Sequence, residues 1–397
     1  MTTRNSHNAN RNSDPRKSTR PGIDVDNMIF DLRPIAHTTW WLLGQARSKC
    51  EHISKAPLSP EMWNRLHIIY LVRGVHATTA IEGNTLSEDE VMRIYRDQLT
   101  LPPSREYLGT EVRNIISAIN IAIRVGASRN PLTVEEVNNY NGIVLQHLAT
   151  EPHVTPGAFR DVRVSAGTYL CPPPEDVPRL MAKFVDWYNN FEAALPGLDV
   201  ISTAIIKAVA THMYFVLIHP YGDGNGRTAS LLEWRTLDAA GIATPATHLL
   251  SNHYNLTRSR YYQMLDRASS GGDTASFFEY AIEGFRDQLD EQLTHFHSQY
   301  SSLVYSEVVR SKDLGTSHDL VLRRQELAIA ILAAPQPVLR SEVRLLTQTL
   351  AAKYAHCTEK TISRDLTALQ AAGLIMMTER GWMAVLDPMS WRHRRDI

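Results

Sequence analysis

The feature that most constrains this chain is an apolar run that stops abruptly. Residues 203–218, TAIIKAVATHMYFVLI, carry one lysine and one histidine among otherwise apolar or small side chains. A helix made of them is hydrophobic all round and belongs at the centre of a packed domain. It meets His219-Pro220, and proline cannot continue a helix. The loop that follows reads HPYGDGNGRTAS from His219 to Ser230, and a new helix is expected over Thr228–Leu237. Backbone N–H groups of a glycine-rich loop at a helix N-terminus make an anion site. Gly224 and Gly226 let the backbone approach a phosphate, Asn225 adds an amide donor, and Arg227 supplies a planar cationic fork. Asp223 is a hard oxygen ligand suited to holding Mg²⁺ against the same phosphates. His219 is the one side chain of the loop that can take a proton near neutral pH. A base, a metal ligand and a phosphate cradle within the nine residues 219–227 point to phosphoryl or nucleotidyl transfer.

The remaining sequence is mainly helical. Leu66, Ile69, Tyr70 and Arg73 share a helical stretch, and Val112, Ile115, Ile116, Ile119 and Ile123 form one buried face over Thr110–Val125. Glu136 follows Thr133 by three residues, the spacing of a capping box, opening a helix to His147. Val162, Val164 and Tyr169 flank Gly167 and suit a short hairpin. Pro172, Pro173 and Pro174 then hold the chain extended before a helix over Val177–Glu192. Residues 1–26 are polar and basic, as a disordered arm would be. A helical region over 27–100 and a core over 101–290 are followed by a polar helical connector, 291–320. In 321–397, helices at Arg324–Leu332, Ser341–Lys353 and Thr358–Ala372 precede a hairpin turning at Arg380-Gly381, the layout of a winged helix.

The formal net charge of −1 does not argue for a dedicated nucleic-acid or membrane binder. Cys50, Cys171 and Cys357 form no CxxC pair, the N-terminus has no signal-peptide core, and no run reaches the roughly 18 uninterrupted apolar residues of a membrane span. A cytoplasmic protein with no membrane partner is expected.

The loop resembles the Fic family signature HPFx(D/E)GN(G/K)RxxR. His219, Pro220, Asp223, Gly224, Asn225, Gly226 and Arg227 match, with Tyr221 in place of the usual Phe. The resemblance implies a mainly α fold, a helical core with a small β-hairpin flap. It implies His219 as general base, Asp223 as Mg²⁺ ligand, and 224–227 with Thr228 as the nucleotide cradle. The signature's last arginine, which grips the terminal phosphate of ATP, falls on Ser230; Arg235 lies nearby in sequence. Residues 78–83, TTAIEG, are similar to the family's inhibitory pattern (S/T)xxxE(G/N) at Thr78, Glu82 and Gly83, and Asn84 extends the match. Glu82 would compete with the γ-phosphate, less firmly than usual, because its customary arginine partner is Ser230. Val164, Ser165, Ala166 and Gly167 match the flap, whose exposed backbone would pair with an extended target segment. Tyr261 and Tyr262 resemble the tyrosines that wall the adenine pocket, and Ser269 stands where the family often has Asn.

The function so implied is AMP transfer from ATP to a Ser, Thr or Tyr hydroxyl of a protein, the chain itself included, restrained by Glu82. A regulator with a degenerate Fic domain, or Fic transfer of UMP or phosphocholine, is the alternative. The C-terminal CTEKTISRDLTALQAAGLI resembles the recognition helix of winged-helix repressors. Ile362, Leu366 and Leu369 would face its core, while Lys360, Thr361, Ser363, Arg364 and, in the wing, Arg380 face outward. DNA and a second copy of the chain are candidate partners.

Overall fold

The computed structural model describes residues 25, 26, 28, 32–56, 60–191 and 197–386; the expected arm falls almost wholly outside them. Contacts divide the chain between Glu291 and Gln292.

The first unit is helical: α1 (His37–Ser54), α2 (Pro60–Ala80), α3 (Glu88–Tyr95), α4 (Glu106–Val125), α5 (Val134–Val144), α6 (Val177–Asn189), α7 (Val200–Ile218), α8 (Asn225–Ala239), α9 (Thr244–Thr247), α10 (Leu249–Leu256), α11 (Arg258–Gly271) and α12 (Thr274–Ser311), the last running on past Glu291. An antiparallel hairpin of β1 (Ser165–Ala166) and β2 (Tyr169–Leu170) pairs Ser165 with Leu170 and Ala166 with Tyr169. The apolar run forms α7. Asp199 caps it by accepting from the N–H groups of Ile201 and Ser202 at 3.1 and 3.0 Å. Every residue from Ser202 to Ile218 is buried except Lys207, whose amine lies 4.2 Å from the Tyr188 ring centroid. Each large apolar side chain so buried contributes about 1.5–3 kcal/mol. Among the described residues α7 is also the one helix long and apolar enough to cross a membrane; here it is the core helix, with α8 packed along it.

Three local expectations change. Ile123 is 47% exposed, because the buried stripe of α4 passes through Ile119 and Ala122 as the helix turns. Thr133 does cap α5, accepting from Glu136 N at 3.1 Å, but the box is not closed. The Glu136 carboxylate instead accepts from Arg235 Nε at 2.9 Å and from the Tyr140 hydroxyl at 2.8 Å. A complete box stands at Ser87 and Glu90. Finally, α8 begins at Asn225 rather than Thr228, with Gly224 at φ 77° as its N-cap.

The second unit holds α13 (His318–Ala333), α14 (Gln348–Tyr354), α15 (Glu359–Ala371) and a hairpin of β3 (Ile375–Thr378) and β4 (Gly381–Ala384), with Val338 bridged to Trp382. The helix expected over Ser341–Lys353 is two pieces, a 3₁₀ turn at Arg340–Leu345 and then α14, because Thr347 starts a new helix by accepting from Leu350 N at 3.1 Å. The polar connector is also less separate than its composition suggests, since Tyr305, Val309 and Leu314 belong to this unit's apolar core. Buried Asp365 accepts from Arg323 Nε at 2.9 Å, Arg324 Nε at 2.8 Å and the Tyr354 hydroxyl at 2.9 Å, joining three helices. On α15, Ile362, Leu366 and Leu369 are buried, Lys360 and Arg364 exposed, and Thr361 and Ser363 half-buried.

Candidate active site

His219 closes α7 at φ 49° and ψ 60°. The proline that follows disfavours the ordinary helical conformation there, and a non-glycine residue held at positive φ costs on the order of 1 kcal/mol. Contacts on three sides keep it in place. Its N–H reaches Phe215 O at 2.9 Å, its carbonyl accepts from Arg160 Nε at 2.7 Å, and its Nδ1 lies 3.2 Å from Val216 O. A carbonyl only accepts, so Nδ1 carries the hydrogen and the neutral ring keeps its lone pair on Nε2. Burial pushes the imidazole pKa below its usual 6.5; the Val216 bond opposes this, while the charge of Arg160 adds to it. Neutral His219 is the form a base requires.

Arg160 escaped the sequence reading. Its side chain is buried and donates to three carbonyls: His219 as above, Val162 from Nη1 at 2.9 Å and Pro172 from Nη2 at 2.6 Å. Val162 and Pro172 flank the β1–β2 hairpin, so one guanidinium joins both ends of the hairpin to His219.

The loop is folded by its own side chains and by α5. Asn225 forms a closed pair with Tyr221, accepting from Tyr221 N at 3.0 Å and donating to Tyr221 O at 2.8 Å. Its amide oxygen and one of its two N–H groups are therefore held by the loop. Tyr221 is buried and donates its hydroxyl to Asn138 at 2.7 Å. Asn141 donates to Asp223 O at 2.9 Å and accepts from Gly157 N at 3.0 Å. A Cβ at Gly224 would crowd Asn141 Nδ2 at 3.0 Å. Asn138 and Asn141 were also not anticipated. The signal was present, since two asparagines three apart inside a helix are poor helix formers that need another reason to be there.

Arg227 is buried, donating to Glu111 Oε1 at 3.1 Å and to Asp223 Oδ1 at 3.0 Å. Glu111 Oε2 in turn accepts from Asn84 at 2.8 Å. A chain of contacts thus runs from Asn84 to Asp223, joining the TTAIEGN segment to the loop. Arg227, Thr228 and Ser230 are all buried in α8 and do not line the cavity. Arg235 is committed to Glu136, to the Tyr188 hydroxyl and to the carbonyls of Ala127 and Asn130.

A cavity of about 520 Å³ brings the other candidates together. His219, Asp223, Gly224, Asn225 and Gly226 form one side, Tyr261 and Tyr262 another, and Ala166, Gly167, Thr168 and Tyr169 of the flap a third. Val164 and Ser165 are not in the lining; Val164 O accepts from Cys171 N at 3.2 Å. Thr168 Oγ1 donates to Asp266, fixing the flap tip to α11. Tyr261 meets His212 Nε2 at 2.9 Å, and His212 Nδ1 lies 2.9 Å from buried Glu233. The Tyr262 hydroxyl donates to Ile81 O at 3.2 Å. Glu82 follows α2 and lies against the first turn of α8, leaving no room for a Cβ on Gly226. Water reaches its carboxyl through the cavity, yet protein surrounds it on most sides; burial raises its pKa above the usual 4.5, and Arg227 opposes that. No described residue forms an ion pair with it.

Fold and site together define a helical domain in which a glycine-rich loop, a helix N-terminus and a buried histidine open onto one cavity. Residues 131–237, a stretch holding α5 through most of α8, match the model of the Fic/DOC family. Protein adenylyltransferase fic-1 of Caenorhabditis briggsae is 28% identical over 245 residues, covering 60% of this chain and 43% of that one. Protein adenylyltransferase Fic of Nematostella vectensis is 26% identical over 247 residues, covering 62% and 53%. The chain spans about half the length of these curated relatives. A Fic family protein from Desulfovibrio desulfuricans superposes with a TM-score of 0.55 at 19% identity, covering 88% of this chain and 97% of that one. Fic-1 residues 134–508 from C. elegans give 0.52 at 21%, covering 66% and 74%. At these identities the structural likeness is one of fold.

Proposed function

We propose that the protein transfers AMP from ATP to a Ser, Thr or Tyr hydroxyl of a protein. The observation that carries this is the unoccupied Nε2 of neutral His219 in the same cavity as the N-terminus of α8. The acceptor oxygen attacks the α-phosphorus, the bond from that phosphorus to the bridging oxygen breaks, and pyrophosphate leaves in line. The hydroxyl proton passes to His219 Nε2. Backbone N–H groups at the start of α8 hold the phosphates, and Tyr261 and Tyr262 wall the base. Exposed flap backbone aligns the target segment. The relatives named as protein adenylyltransferases support the reading.

Mg²⁺ suits the residues present. Among the described residues no cluster of three or more acidic, His or Cys side chains forms a cage, but none hydrogen-bonds Asp223 Oδ2, and Asp223 lines the cavity. One carboxylate oxygen with substrate phosphates and water is how Mg²⁺ is commonly held. When bound it offsets phosphate charge.

Glu82 restrains the reaction by placing a carboxylate where the terminal phosphate approaches α8. With no ion pair to hold it, its restraint is charge repulsion. In the second unit, read as a winged helix, exposed Lys360, Arg364 and Arg380 would meet DNA phosphates, which salt-dependent duplex binding would test. Three free cysteines support a cytoplasmic setting.

The test is incorporation of label from α-phosphate-labelled ATP, and from the other triphosphates in parallel, into the protein and a cell lysate. Wild type, His219→Ala and Glu82→Gly are compared. Label that needs His219 and grows in Glu82→Gly is expected. No His219-dependent label from any triphosphate would refute the transferase reading.

A further inference from the structure

A triphosphate brings about four negative charges to this cavity, and the nearby side-chain cations are already committed. Arg227 is shared between Glu111 and Asp223, Arg160 serves three carbonyls, and Arg235 is buried on Glu136. With Glu82 added, the loop's side chains present more carboxylate than guanidinium. A cation for the terminal phosphate must come from another element.

We propose that Arg258, the first residue of α11, is the substrate-binding residue that holds the terminal phosphate of the triphosphate. Its guanidinium lies over the Tyr262 ring, 5.9 Å from the centroid. Tyr262 lines the cavity, and its hydroxyl is fixed to the carbonyl of Ile81, the residue next to Glu82. Arg258 does not itself line the cavity but sits behind Tyr262, on the side where Glu82 lies. Of the three arginines on α11, Arg260 pairs with Glu283 and Arg267 with Asp273. Arg258 has no carboxylate within ion-pair distance among the described residues and is exposed; beyond a hydrogen bond to the Tyr262 side chain, its fork keeps further N–H groups for a phosphate. Its charge is nonetheless felt at the Glu82 carboxyl, which it pulls down. A planar fork on a long stem matches a terminal phosphate bidentately. In the nucleotide-free state its charge adds to the larger one of Arg227 in opposing the negative charge of Glu82, so phosphate and Glu82 compete for it.

The inference rests on the transferase reading, and the two fail differently. The experiment measures dissociation constants of the full chain for α,β-methylene-ATP, which cannot transfer its nucleotidyl group, and for AMP, by titration calorimetry with Mg²⁺. Wild type, Arg258→Ala and Arg258→Lys are compared. Arg258→Ala is expected to weaken the triphosphate analogue by about tenfold to a hundredfold, the range of a charge-assisted contact, with AMP changed by less than about twofold. Arg258→Lys falls between. Retained AMP binding shows that the variant is folded. Equal losses for both nucleotides would mean that Arg258 acts only by packing on Tyr262, and no loss would mean that it is idle; either overturns the inference and leaves the transferase reading standing. Wild type that binds neither nucleotide would overturn the transferase reading and this one with it.

Discussion

Asn225→Ala separates two roles open to the same amide, clamping the loop and binding phosphate. Asn225 is 3% exposed and Tyr221 1%, and the pair is closed by bonds of 3.0 and 2.8 Å. Truncation leaves one buried N–H and one buried carbonyl of Tyr221 without partners. Each abandoned group costs about 1–3 kcal/mol. The cavity is close enough to admit water to one of them, which places the total near the lower half of that range, about 2–4 kcal/mol. For a unit of this size the melting temperature falls by about 2–4 °C per kcal/mol, so a drop of roughly 4–16 °C is expected by calorimetry. Asn225→Asp keeps the acceptor for Tyr221 N but turns an oxygen toward Tyr221 O, and should be destabilised as well. A melting temperature unchanged to about 1 °C with nucleotide binding lost would refute the clamp and return the amide to phosphate binding.

Other consequences are equally direct. Because burial holds the His219 pKa below 6.5 and the neutral ring is the base, kcat/KM in a Glu82→Gly background should rise with pH through an inflection below 6.5 and then level off; an inflection above that value would contradict the environment described. Glu82→Gln removes charge while keeping shape, and label incorporation should rise by about two- to tenfold, an effect that added salt shrinks. Arg160→Lys cannot reach three carbonyls at once, so initial rates should fall by about tenfold or more while AMP affinity holds; unchanged rates would sever the flap–base link. Asp365→Ala strands two arginines in the second unit, and about 3–5 kcal/mol of that unit's stability should disappear in denaturant titration.

What could be read in advance was local. An apolar run, a proline stop and three glycines lie within a few turns of one another, and α7, the loop and α8 follow from them with little help from elsewhere. Tertiary contacts were hidden. Arg160 lies 59 residues before His219, and nothing near Arg160 says which carbonyls it will meet. Asn225 and Glu136 show a subtler limit. Each was assigned a partner its chemistry allows, and the fold supplied another, because an amide or a carboxylate suits several acceptors and donors equally and only packing chooses. Ile123 failed for a geometric reason, since a stripe followed over three turns drifts around a helix of 3.6 residues per turn.

The chain of contacts from Asn84 through Glu111 and Arg227 to Asp223 bears on how the site meets its ligand. With Glu82 beside it, this network sets three carboxylates against one guanidinium, so the side chains around the cradle form a net acid. A bare polyphosphate approaching it is repelled, and only one that carries its own counter-ions arrives neutral enough to settle on α8. The first encounter should therefore quicken as ionic strength rises, the reverse of an ordinary anion receptor, and the order of arrival is set before any bond is made or broken.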